Sequence, residues 1–334
     1  MLWIAAFASN MGTWIQDVGA AWLMTTLAPS PAMVALVRTA SALPMFLFAL
    51  PAGALADVLD RRRLLLFTQA LMLIAAALLA ILTFADWITP FSLLALTFAL
   101  GVGSALNAPA WQANLAELVP HNQMTSAIAL NSASINLART VGPAIGGLLI
   151  AASGPAATFA LNAVSFCGVI VVLYRWRRQP VRSVLPAERV LGAIRTGVRY
   201  VRHAPAVLAV LTRSISFTLF ASSLLALLPS FARFELGRGP TGYGVLLGFF
   251  GVGAVIAASQ LARARARFAT EHIVAVAIGV FAAALFALAW APFVAVVDIA
   301  VLCAGGAWLT LLSTFNASVQ TMVPSWVRGR ALAV

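Results

Sequence analysis

Ten long apolar runs, separated by short polar stretches rich in arginine, constrain this chain most. They lie near residues 2–27, 33–55, 64–84, 91–111, 126–151, 158–174, 206–230, 242–262, 273–291 and 293–313. A bilayer span needs about 20 apolar residues. Runs of this length without period-two alternation read as helices, not barrel strands. Hydrophobic residues make up 62% of the 334 and charged residues 9%. A soluble domain carries about 25% charged residues, so this chain cannot cover a water-exposed surface. The reading is an all-α polytopic membrane protein of about ten transmembrane helices, with the lipid bilayer as its first partner.

The formal net charge of +12 comes from 21 arginines and no lysine. Its distribution argues against nucleic acid as a partner. One set of loops holds sixteen of the arginines: Arg61, Arg62 and Arg63; eight from Arg175 to Arg202; Arg263, Arg265 and Arg267; Arg328 and Arg330. The opposite loops hold Arg233 and Arg238 alone. The positive-inside rule then places the N-terminus on the cytoplasmic side of the membrane. Cys167 and Cys303 fall in separate apolar runs and read as packing residues.

The longest loop, 175–204, separates six spans from four. Val190, Leu191, Ile194, Val198 and Val201 share one helical face there and arginines another, the pattern of a basic amphipathic helix on a membrane surface. The bland alternative is an orienting linker. An internal repeat is also legible. SPAMVALVRTASALP enters span two and GPTGYGVLLGFFGVG enters span eight; ANLAELVP follows span four and ASVQTMVP follows span ten. Pro31 to Pro120 is 89 residues and Pro240 to Pro324 is 84. The expected organisation is a six-helix bundle at 1–174, a cytoplasmic linker at 175–204, and a partial second bundle at 205–334 with four helices and the start of a fifth. Secondary transporters use such duplicated units. On this reading the second half is incomplete, because Arg330–Val334 matches only the start of span five.

The stretch GALADVLDRRR, Gly53 to Arg63, resembles the loop signature of the major facilitator superfamily. The resemblance implies that fold, with Gly53, Asp57 and Arg61 as a conformational latch: a carboxylate at a helix end faces the N-terminus of another helix, arginine holds it, and Gly53 lets backbones approach. ARTVGPAIGGLL in span five resembles the antiporter motif of facilitator exporters. Gly142, Pro143, Gly146 and Gly147 then form a seam expected to seal the cytoplasmic side, with Pro143 bending the helix. Gly101 and Gly103 of span four fit the family, but Thr97 stands where exporters carry an arginine. SNMGTWIQDVGAAWLM and VPSWVRGRALAV further resemble the branch of enterobactin-exporter-like proteins and transmembrane secretion effectors.

Charges within spans are expensive and face protein or a wet cavity. Asp17, Arg38 and Arg139 are the proton-coupling candidates, Arg139 standing in for the missing span-four arginine. Asp17 also admits a structural reading, an ion pair with Arg38. Asn10 and Trp14 share its helical face. Asn10, Trp14, Asn107, Asn131 and Asn136 are the substrate-cavity candidates, and the span-four and span-five asparagines equally fit helix-joining hydrogen bonds. Arg213 and Asp298 sit near span ends, where they are expected to reach for an interface.

No catalytic constellation, metal-ligand spacing or phosphate loop occurs, so no enzyme, cofactor or metal is expected. The expected function is secondary active transport: proton-coupled export of a small amphipathic molecule, drug- or siderophore-like, driven by protons or another cation. The alternative is a truncated, non-transporting membrane protein or interaction partner.

Overall fold

Among the described residues proline opens five of the ten long helices, where its missing N–H costs nothing and its fixed φ suits the first turn. The computed structural model describes residues 2–118, 124–175, 202–290 and 293–322. The helices are α1 Leu2–Leu27, α2 Pro31–Val58, α3 Arg61–Phe84, α4 Pro90–Leu118, α5 Met124–Ser153, α6 Pro155–Arg175, α7 Pro205–Ser230, α8 Pro240–Arg267, α9 Thr270–Trp290 and α10 Val294–Met322. A π-helical turn, Phe231–Glu235, follows α7. No strand occurs among the described residues. The amphipathic helix expected within the linker, and the terminal VPSWVRGRALAV, lie outside the described residues.

Helices α2 to α10 are each long and apolar enough to cross a membrane. The first helix falls short of that measure because Asn10, Gln16 and Asp17 dilute its apolar content. Each of these polar groups has an address inside the protein, described below. Several helices outrun their apolar stretches: α10 runs to Met322, nine residues beyond the expected span end at 313.

The described residues gather into two compact units, those within Met1–Glu188 together with Pro229–Gly244, and those within Arg189–Leu228 together with Val245–Val334. In the first unit α1 packs on α5 and α6, α2 on α4, and α3 on α4 and α6. Met24, Val34, Leu79, Leu93 and Phe159 form the best-buried part of its core. Phe46, Phe67, Ile81, Phe84 and Val164 point outward, as expected of a bundle whose solvent is hydrocarbon.

In the second unit α9 packs on α10, and Phe217, Phe281 and Trp308 cluster from α7, α9 and α10. Added Cβ atoms at Gly253 and Gly305 would strike the backbone of Leu302 and Phe250 respectively, so α8 and α10 meet through glycine. The first unit repeats the device: a Cβ at Gly101 of α4 would stand 2.8 Å from the Ser41 carbonyl oxygen of α2. This shared contact belongs to the helix pairs that the internal repeat equates.

Candidate functional site

A cavity of about 290 Å³ opens among α1 to α6 of the first unit, with Met45 as the contribution of α2. Its wall mixes apolar Met45, Met72, Trp111 and Phe166 with polar Ser9, Asn10, Gln69, Asn107 and Asn131. Three of the five expected cavity residues, Asn10, Asn107 and Asn131, therefore converge on one space. Trp14 and Asn136 do not line it. Gln69, which sequence reasoning passed over, donates from Nε2 to Asn107 Oδ1 at 3.3 Å. The Thr68 hydroxyl lies 3.1 Å from the same oxygen. Gln69 sits in a long apolar run whose periodicity gives no sign that it faces inward with an amide partner.

Beyond the cavity, α1 carries a ladder of polar contacts. Asn10 reaches the cavity. One turn on, Trp14 receives Arg139, whose guanidinium carbon lies 5.3 Å from the ring centroid. Asp17 Oδ2 lies 3.5 Å from Arg38 Nη1. The expected polar face is thus split among three partners, and the Asp17–Arg38 pair read from the sequence forms. On the opposite side Gln16 Oε1 accepts from Asn162 Nδ2 of α6 at 2.8 Å, fully buried. Close approach makes these contacts possible: a Cβ at Gly12 would come within 2.6 Å of Asn162 Oδ1, and one at Gly142 within 2.8 Å of Trp14 Cβ.

The rest of the span-five motif packs as small residues allow. Pro143 lies within α5. Gly146 faces Ile15 and Val18 of α1, and a Cβ at Gly147 would stand 2.8 Å from Gly244 Cα and from the Pro240 carbonyl oxygen of α8. Gly147 lies near the Ser153 end of α5, opposite the Arg61–Arg63 turn, so this close contact is not on the side that the sequence reading expected the seam to seal. Three more contacts gather there. Arg233 donates to Thr25 Oγ1 at 2.9 Å and stacks over Trp22 at 5.6 Å, and Trp22 stacks on Tyr243 at 6.2 Å. In the sequence Arg233 reads only as a loop charge.

At the other end, Asp57 and Gly53 lie in the last turns of α2 and Arg61 opens α3. The Asp57 side chain lies outside the described residues. Among the described residues nothing stands within 4 Å of a Gly53 Cβ position, so the close backbone approach expected at Gly53 is not seen there. Asp60 caps α3, its Oδ1 accepting from Arg63 N at 2.9 Å. Arg62 donates to the Leu173 and Tyr174 carbonyls at 3.0 and 2.6 Å, a cation on the negative end of α6. Arg213 pairs with Glu271 at 2.8 Å, and both side chains are exposed. Thr97 is buried, and its hydroxyl has no partner among the described residues. No group of residues that could hold a metal occurs among them either.

These features sit on the fold of major facilitator transporters. A bacterial homologue of the human lysosomal transporter Spinster superposes with a TM-score of 0.74 at 15% identity, covering 99% of this chain and 76% of that one. The chain belongs to the transmembrane secretion effector family of that superfamily, which it matches along residues 1–334. It is 28% identical to the multidrug efflux pump Tap of Mycolicibacterium fortuitum, over all of this chain and 83% of Tap. It is 32% identical to the staphyloferrin A transporter of Staphylococcus aureus, over 51% of this chain. That match spans 42% of the staphyloferrin A transporter's length.

Proposed function

We propose that the protein is a secondary transporter that exports a small amphipathic molecule in exchange for protons. The Asp17–Arg38 pair carries this reading. A carboxylate and a guanidinium 3.5 Å apart join α1 and α2, and α1 also lines the polar cavity through Asn10. Protonation of Asp17 removes the attraction to Arg38 and loosens α1 from α2, which ties proton occupancy to the shape of the cavity wall. Arg139 of α5, over Trp14, brings a second positive group against α1. Family membership and the names of the relatives support transport.

Alternating access then rocks the bundle of 1–174 against that of 205–334, with 175–204 as linker. The arginine-rich turns face the cytoplasm of a bacterial inner membrane, with the N-terminus on that side. Gly53, Asp57 and Arg61 act as the latch at that face. The glycine contacts of α5, with Arg233 on Trp22, hold the opposite face.

The test is efflux of Nile red, an uncharged amphipathic dye, from proteoliposomes carrying an imposed pH gradient. Export should follow the gradient and collapse with a protonophore. Asp17→Asn should abolish the gradient dependence. Gradient-driven export that survives Asp17→Asn overturns the role of Asp17.

A further inference from the structure

We infer that the cavity of the first unit selects an uncharged ligand bearing a carboxamide-type donor and acceptor, recognised by Gln69 and Asn107; this rests on the transporter reading and names its substrate class. Gln69 is 3% exposed, and its Oε1 has no hydrogen-bond partner among the described residues. Its Nε2 is used on Asn107 Oδ1. Two amides joined by one hydrogen bond leave one carbonyl and one NH₂ unused. Turning both amides over exchanges the ends and keeps that inventory. The Gln69 Oε1 is itself buried, so a turn of that side chain toward the cavity it lines is what brings it to a ligand group that donates and accepts side by side.

The rest of the wall fits the same ligand. None of the described lining residues is ionisable. A carboxylate entering here would lose its water and meet no cation, which is strongly unfavourable. Asn10 and Asn131 add neutral hydrogen-bonding capacity. Met45, Met72, Trp111 and Phe166 offer an apolar body site, and thioether walls adapt to varied shapes. Ligand pockets run from about 300 Å³ upward, so a cavity of about 290 Å³ suits one small molecule or one end of a larger one.

The probes are 2-naphthamide and 2-naphthoate, which share a shape and differ in charge and donor capacity. Binding is measured by equilibrium dialysis against nanodiscs holding the full chain, with empty nanodiscs subtracted. Saturable binding of 2-naphthamide is expected, with 2-naphthoate at least about tenfold weaker. Gln69→Met and Asn107→Leu should each weaken 2-naphthamide by roughly fivefold. Gln260→Met, on the second unit, should change nothing. Equal or tighter binding of 2-naphthoate overturns the proposal, as does absence of saturable 2-naphthamide binding, or unchanged affinity in both folded cavity variants. The amide–acid comparison is read on the unmodified chain, so a misfolded variant cannot hide the answer. Gradient-driven Nile red export without 2-naphthamide binding sinks this site alone. Binding without gradient-driven export sinks the transporter reading alone.

Discussion

The guanidinium of Arg233 stands 5.6 Å from the ring centroid of Trp22 and donates to Thr25 Oγ1 at 2.9 Å. One side chain from the π-helical turn after α7 thereby holds the last two turns of α1. Pro229 lies within α7 just before that turn, and a π-helical segment changes the direction in which its side chains point.

Arg233→Ala removes a cation–π contact and a charge-assisted hydrogen bond, together about 1–2 kcal/mol. The expected result is a lower unfolding midpoint in detergent. Thr25→Cys should also react faster with an impermeant maleimide in the Arg233→Ala background. Arg233→Lys keeps the charge but loses the planar fork, and should fall between. Equal labelling in all backgrounds would show that Arg233 does not hold this end.

Gly147 and Gly53 make an internal comparison. A Cβ at Gly147 would stand 2.8 Å from Gly244 Cα and from the Pro240 carbonyl oxygen, with no flexible side chain to yield. Gly147→Val therefore forces α5 away from α8, at a cost of about 1–3 kcal/mol, and should reduce export. Gly53→Ala meets nothing among the described residues. It should raise stability by about 0.5–1 kcal/mol through the better helix propensity of alanine. Thermal unfolding of the two variants checks both signs.

The span pattern was legible because bilayer thickness imposes it. Apolar runs, flanking arginines and helix-opening prolines are local signals, and α1 and α7 keep their expected bounds to within a residue. Asp17 and Arg38 were also readable as a pair, since a short turn joins their helices. Arg233 was not: its partner Thr25 is 208 positions away, and no periodicity links a loop arginine to a distant helix end. Gln69 and Asn162 were missed for a related reason. A lone amide in an apolar run shows its cost but not its partner. Arg62 was counted as an orienting charge, although its contact is with the end of α6, 111 positions on.

The Asp17–Arg38 pair separates stability from coupling. Asp17→Asn leaves Arg38 without its carboxylate inside a span, and should cost about 1–2 kcal/mol. Adding Arg38→Gln removes the stranded charge and should recover most of that loss. Coupling should not return, because no group is left at that place to carry the proton. A double mutant that regains both stability and gradient-driven export would assign the pair a structural role and move the proton site elsewhere.

The Gln16–Asn162 bond tests how α1 is held on its other side. Both residues are buried, and the bond is 2.8 Å long. Asn162→Leu removes the donor and strands the Gln16 carbonyl against apolar surroundings. Measured couplings between polar side chains of membrane helices average about 0.6 kcal/mol and reach about 1.7. A fully buried pair belongs toward the upper end, so the single change should lower stability by about 1–2 kcal/mol. The double change Gln16→Leu with Asn162→Leu should cost less than the single one, because it leaves no orphaned carbonyl. Equilibrium unfolding of the four proteins in mixed micelles measures this coupling. A double change that costs the full sum of the single ones would mean that α1 is held to α6 by packing alone, at Gly12 against Asn162 and at Gly19 against Thr158.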